Sequence, residues 1–182
     1  MAQHEPFPLP EEVDLVLADD IPAAQARKPD MATRARARDA MQLPELVTLA
    51  HDIAGDQHRF RFVQLPFNLA MTEALTLGNQ SIGGRDKTVM EAASELDITL
   101  VASASLLQGQ VARNLPAFVA EALGLEDDAQ RSLQFVRSSP GITTALVGMS
   151  HVEHVRENAK LVGVAPATVD QFSKLFTRGE GA

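Results

Sequence analysis

The sequence has no cysteine, no tyrosine and no tryptophan in its 182 residues. Without cysteine there is no disulfide, no Cys-ligated zinc, no iron–sulfur cluster and no thiol nucleophile. Apart from the five His, the aromatic rings are those of eight Phe. There is no surplus of positive charge either. The formal net charge is −8, which argues against nucleic acid as the main partner. No apolar run approaches the roughly 18 residues of a membrane span, so no membrane partner is expected. The opening MAQHEPFPLPEE is acidic and Pro-rich, without the basic start and apolar stretch of a signal peptide. The expected location is the cytoplasm. Apolar content of 45% and charged content of 22% are those of an ordinary globular chain.

Two regions differ in texture. Residues 1–38 hold Pro6, Pro8, Pro10, Pro22 and Pro29, then Arg34, Arg36 and Arg38. They read as an irregular arm, within which Val13 to Ala18 is short enough for a strand or one helical turn. The arginines read as the solvated lead-in to a helix. Residues 39–182 are regular. A helix is expected from Pro44, a residue suited to the first helical position, to Gly55. Leu43, Leu46, Val47, Ala50 and Ile53 share one face of it. An apolar strand follows over Phe60 to Leu65. The same alternation then recurs. A helix over Lys87 to Leu96 leads to a strand over Ile98 to Ala102. A helix over Asp127 to Arg137, with Ala129, Leu133 and Val136 inward, leads to a strand over Thr144 to Val147. After a helix over Val152 to Leu161, the tail carries Val169, Phe172, Leu175 and Phe176 on the apolar side of a last helix. Continuous apolar strands between amphipathic helices predict an α/β fold with a parallel sheet buried on both faces. A closed eight-unit barrel needs at least about 200 residues, so the choice lies between a small open sheet and part of a barrel.

Ligands of parallel sheets bind where strands end. After the first strand come Gln64, which can hydrogen-bond an amide-bearing ligand or satisfy backbone groups, and Asn68. Thr76 to Asp86 reads as a Gly-rich loop, without the glycine spacing of a phosphate-binding P-loop. The second strand ends in Ser103-Ala104-Ser105, where small hydroxyl residues suit either a phosphate or a tight turn. No G-x-S-x-G elbow is present to make a serine nucleophile. After the third strand, Gly148 and Ser150 precede a helix N-terminus, an anion-binding position. Ser150 and Glu153 have the spacing of a capping box. His151 and His154, with Glu153 and Glu157 nearby, do not give three ligands on one helical face, and no metal site is expected.

The stretches FRFVQLPFNLAMTEAL, ITLVASASLLQG and QFVRSSPGITTALVGMSHVEHVRENA resemble the C-terminal half of the aldo/keto reductase superfamily, across residues 40 to 165. The resemblance implies a partial (β/α)8 barrel: its last three βα units, strands six to eight, with a C-terminal helix. It also implies NADP(H) as cofactor and carbonyl reduction by hydride transfer. Residue by residue it assigns Gln64 to the nicotinamide carboxamide. Ser103 takes the position of a ring that stacks on the nicotinamide. Leu106, with the backbone of Leu107 and Gln108, lies over the pyrophosphate. Gly148 and Ser150 meet the adenosine phosphates, and His154, Glu157 and Asn158 hold the adenine side. Two departures matter. Ser103 provides no ring, and the family's proton donor is a Tyr, supported by Asp, Lys and His from the other half of its barrel. A chain without Tyr loses an acid–base contribution of about 10²–10⁴-fold. Three expectations follow. The chain is an incomplete reductase, inactive alone, that a companion chain completes to accept a small carbonyl substrate. Or it is a non-catalytic NADPH-binding or protein-interaction module, such as a homo-oligomer pairing open sheet edges. Or it is a degraded gene fragment.

Overall fold

A computed structural model describes residues 41–176. The arm read over residues 1–38 lies outside the described residues. The elements run in the order α1 (Leu43–Ala54), β1 (Phe62–Pro66), α2 (Glu73–Thr76), β2 (Gln80–Ile82), β3 (Arg85–Lys87), α3 (Val89–Glu95), β4 (Thr99–Ser103), α4 (Ala117–Leu123), α5 (Asp128–Ser138), β5 (Ile142–Ala145), α6 (Val152–Ala159) and α7 (Val169–Ser173). Short 3-10 turns follow α1, β4 and α6.

Local chemistry explains most of these boundaries. Pro44 opens α1, and Gly55 closes it at φ +59°, a backbone conformation that glycine adopts without strain. The cap of α1 comes from far along the chain. Gln80 accepts the Leu43 N–H at 2.8 Å, while Gln42 donates to the Asn79 carbonyl at 2.8 Å and accepts from the Ser81 N–H at 3.0 Å. Helix α3 starts in a capping box of Thr88 and Glu91, and α7 in one of Thr168 and Gln171. Asp127 caps α5 by accepting from the Gln130 N–H at 3.1 Å.

Among the described residues the main sheet has three parallel strands in the order β1-β4-β5. In register, Phe62 lies beside Thr99, Gln64 beside Val101 and Pro66 beside Ser103. Val101 in turn lies beside Thr144, and Ala102 beside Ala145. Because side chains alternate along a strand, one face carries Val63, Leu65, Leu100, Ala102, Ile142 and Ala145, all packed in or against the core. The other face carries Phe62, Gln64, Pro66, Thr99, Val101, Ser103 and Thr144. On it Phe62 is 67% exposed, and Gln64, Pro66 and Thr144 are exposed as well. The expectation of a sheet buried on both faces is therefore corrected: among the described residues the core covers only one.

The core is built against that covered face. Its centre is a run of rings, Phe67–Phe135–Phe172, with centroids 5.3 and 5.4 Å apart and Phe176 tilted against the last two. The tail residues Phe172, Leu175 and Phe176 are buried as their spacing predicts, while Val169 is half exposed. Leu133 and Val136 of α5 are likewise buried, and Ala129 is only partly so.

Other expectations change. Thr76 to Asp86 is not one loop. It contains the antiparallel hairpin β2–β3, turned by Gly83 and Gly84, both at positive φ as a tight two-residue turn requires. Ile53 of α1 is 77% exposed rather than inward. Helix α4, between Pro116 and Gly124, was not expected; it buries Val119, Ala122 and Leu123. Helix α6 starts one residue later than a cap at Ser150 would place it: His151 is the N-cap, and no side chain caps that end. The third strand is Ile142–Ala145, two residues earlier than read.

Candidate functional site

The C-terminal ends of β1, β4 and β5 lie side by side, and the three loops that leave them are tied to one another. The Phe67 N–H donates to the Ser103 carbonyl at 3.0 Å, and the Leu146 N–H to the Ala102 carbonyl at 2.8 Å, so pairing continues past the strand ends. Two buried side chains add cross-links. Asn68, wholly buried, donates from Nδ2 to the Ala104 carbonyl at 2.9 Å and accepts the Ala70 N–H on Oδ1, also at 2.9 Å. Ser105, 1% exposed, donates from Oγ to the Leu146 carbonyl at 3.0 Å. Beyond these, Val111 is fully buried and its carbonyl accepts the Ser132 hydroxyl.

The stretch between these anchors has an unusual backbone. Ala104, Leu107 and Gln108 have φ of 53°, 45° and 53°. Left-handed conformations cost an ordinary L-residue about 1–2 kcal/mol each, so the anchors must hold this segment in place. From the sequence Asn68 has no assigned role, and Ser105 suits either a phosphate or a tight turn. The available signal was a small polar residue inside an otherwise apolar strand-end segment, where burial demands hydrogen-bond partners.

The residues singled out from the sequence fall into three places. Gln64 and Ser103 share the uncovered face of the sheet, on neighbouring strands and two residues apart in register. Leu106 and Gln108 lie in the left-handed loop after β4, Leu106 half-buried and Gln108 exposed. Gly148 and Ser150 are exposed in the loop after β5, and His154 and Glu157 are exposed on α6. Asn158 is half-buried. It lines an apolar groove of about 280 Å³ with Met149, Val155, Leu133 and Arg137, a groove that takes in none of the other candidates.

Helix α6 buries no residue of its own. Polar side chains of α5 hold it and the segment after it. Gln130 donates to the Glu157 carbonyl at 2.9 Å and Gln134 to the Ala165 carbonyl at 2.8 Å. Arg137 donates to the carbonyls of Leu161 and Val164 at 2.5 and 2.7 Å. Gln130 and Gln134 are buried, and neither was singled out from the sequence.

This arrangement suits a dinucleotide in some respects. The first-turn N–H groups of α6 have no side-chain cap, and the Ser150 hydroxyl is not used as one. That leaves donors for a phosphate. Glu153 in the same turn opposes an anion, with Arg156 3.8 Å away to offset its charge. Of the described phenylalanines, Phe67, Phe135, Phe172 and Phe176 are buried in the core, and Phe60 and Phe118 pack partly buried against it. Phe62 stands at the opposite end of its strand, in register with Thr99. The rings of His151 and His154 meet edge to face, 5.2 Å between centroids. Among the described residues no group of three or more His, Asp or Glu could hold a metal ion. No described helix is long and apolar enough to cross a membrane.

No protein-family model matches the sequence, and no curated protein matches it. A solved structure does match: an aldo-keto reductase from Bacillus halodurans in its holo form, at 13% identity and a TM-score of 0.50. The match covers 72% of this chain and 46% of the reductase, so the chain spans less than half the length of its structural neighbour. At that identity the likeness is one of fold: over most of its length, this chain is folded like part of an aldo-keto reductase.

Proposed function

We propose that this chain is the dinucleotide-binding part of an aldo/keto reductase-type (β/α) barrel, holding NADP(H) over the C-terminal ends of β1, β4 and β5. The carrying observation is the uncovered sheet face. It bears Gln64 and Ser103 and adjoins the loops of Leu106, Gln108, Gly148 and Ser150, in a fold like part of a holo reductase. Gln64 serves the carboxamide of the nicotinamide. The backbone around Leu106 and Gln108 serves the pyrophosphate. Gly148, Ser150, His154, Glu157 and Asn158 serve the adenosine end. Bound NADPH supplies a hydride for an aldehyde or ketone, and these residues only bind and orient it.

The acid for carbonyl reduction has to come from elsewhere, because the chain has no Tyr. Further polypeptide or a companion chain would bring it and would cover the edges of β1 and β5 that no described strand pairs. Alone, the chain is expected to bind NADPH and not to reduce carbonyls.

Titration of the full chain with NADPH, followed by cofactor fluorescence, tests this. The expected result is saturable micromolar binding, weakened by Ser150→Ala and by Asn158→Ala. A chain that is folded by circular dichroism and shows no binding up to millimolar NADPH would refute the reading. Its family-like residues would then serve the fold alone.

A further inference from the structure

We infer that Asn68 and Ser105 are positioning residues: together they latch the loop after β4 in the one conformation that presents Leu106 and Gln108 to the pyrophosphate of a bound dinucleotide. The inference rests on the proposed binding site and adds to it two side chains that touch no ligand.

The geometry points to it in three ways. First, each side chain bridges two different strand-end loops, Asn68 while also accepting the Ala70 N–H of its own. Asn68, after β1, holds Ala104, after β4; Ser105, after β4, holds Leu146, after β5. The three loops that carry the candidate ligand-binding residues are thereby fixed relative to one another. Second, Asn68 acts on the residue where the loop turns left-handed. Its Nδ2 holds the carbonyl of Ala104, whose φ is 53°, and that same carbonyl accepts the Leu107 N–H at 2.7 Å. Both bonds set the orientation of this peptide, and with it the entry into the turn over Leu107–Gly109. Third, the loop is strained between its anchors. Ala104, Leu107 and Gln108 are non-glycine residues in left-handed conformations, and such residues persist only where surrounding structure over-determines them.

The latch is a matter of population. With both bonds made, the loop is held in its binding form. With one removed, the strained residues can relax to right-handed conformations, and apparent affinity falls by the fraction that leaves. Loss of one neutral hydrogen bond corresponds to about a tenfold change in such an equilibrium.

The test uses the full chain with Ser105→Ala, Asn68→Ala and the double variant, each checked for fold by circular dichroism. Two quantities are measured: the NADPH dissociation constant, and amide hydrogen exchange at Leu107 and Gly109 against that at Leu100 and Ala102 in β4. Ser105→Ala, which removes a single oxygen, is the variant that keeps the test readable if Asn68→Ala does not fold. The expected result is exchange at Leu107 and Gly109 about tenfold faster, unchanged exchange in β4, and a dissociation constant raised by the matching loss of latched form, at most about tenfold. The double variant should weaken binding by more than the product of the single effects, because both bonds bias one equilibrium and their joint loss empties the latched form further. Faster exchange throughout β4 with an unchanged dissociation constant would mark a merely structural role and overturn the inference. So would wild-type exchange at Leu107 and Gly109 in Ser105→Ala. Failure of the proposed function is separate and appears first, as an unmutated chain that binds no NADPH; the inferred role in presenting Leu106 and Gln108 then falls with it.

Discussion

Replacing Phe135 by Ala should remove much of the chain's stability. The Phe135 ring is fully buried between Phe67 and Phe172, at centroid distances of 5.3 and 5.4 Å, with Phe176 6.5 Å away. Deleting a buried Phe to Ala costs about 3–5 kcal/mol in lost transfer energy and cavity. Here the upper part of that range applies, because the lost ring is the middle of a stack and each ring pair adds about 0.5–1.5 kcal/mol beyond area burial. Small domains are stable by only about 5–15 kcal/mol. With one sheet face uncovered among the described residues, the chain should sit near the bottom of that range, so the variant should be close to its unfolding midpoint without denaturant. Urea unfolding followed by far-ultraviolet circular dichroism is the suitable assay, since a chain without Trp and Tyr has no useful intrinsic fluorescence. With a slope of about 2 kcal/mol per molar urea, the midpoint should fall by about 2 M. A fall of less than about 0.5 M at unchanged slope would mean that Phe135 is not the centre of the core. A double-variant cycle with Phe172→Ala should give a coupling of about 0.5–1.5 kcal/mol, because the tail enters the core through that ring.

Thr168→Ala should destabilise the chain by about 1 kcal/mol in urea unfolding by breaking the α7 capping box, whereas Ser150→Ala, which caps nothing, should change stability by less than about 0.5 kcal/mol. An equal loss in both would contradict the cap positions. If copies of the chain pair through the open sheet, Phe62→Lys should reduce that association in sedimentation velocity, since it puts a charge on the exposed face of a strand where a large apolar side chain now stands; association unaltered at matched concentration would show that copies meet elsewhere.

The elements legible in the sequence were those whose side chains repeat over several turns or make a continuous apolar run. Periodicity located α1, α3, α5, α6, β1, β4 and β5 to within about two residues at most ends, the usual uncertainty of such boundaries. Pro44 and Gly55 bracketed α1 because the first helical position and the exit residue have specific backbone requirements. The hairpin β2–β3 was not legible, because three-residue strands hold too few alternations to separate from a loop. Helix α4 could have been read from Pro116 and Gly124 at its ends; its short, mostly apolar AFVAEAL offers no clear polar face. The capping box drawn at Ser150 failed because spacing identifies candidate caps, while the φ and ψ of neighbouring residues decide which one is used.

The sequence by itself determined the helix and strand alternation, the parallel sheet that follows from it, and the absence of a phenolic proton donor, since composition and local periodicity need no partner elsewhere in the chain. Only the tertiary structure decided which sheet face is covered. Alternation places Gln64 and Val63 on opposite faces without saying which one meets the core. Only the fold could supply Gln80 as the cap of α1 from 37 residues away. Likewise, only the fold could make Asn68 and Ser105 cross-links between loops. Such contacts join groups far apart along the chain, and the satisfaction of a buried polar atom depends on what the fold brings beside it.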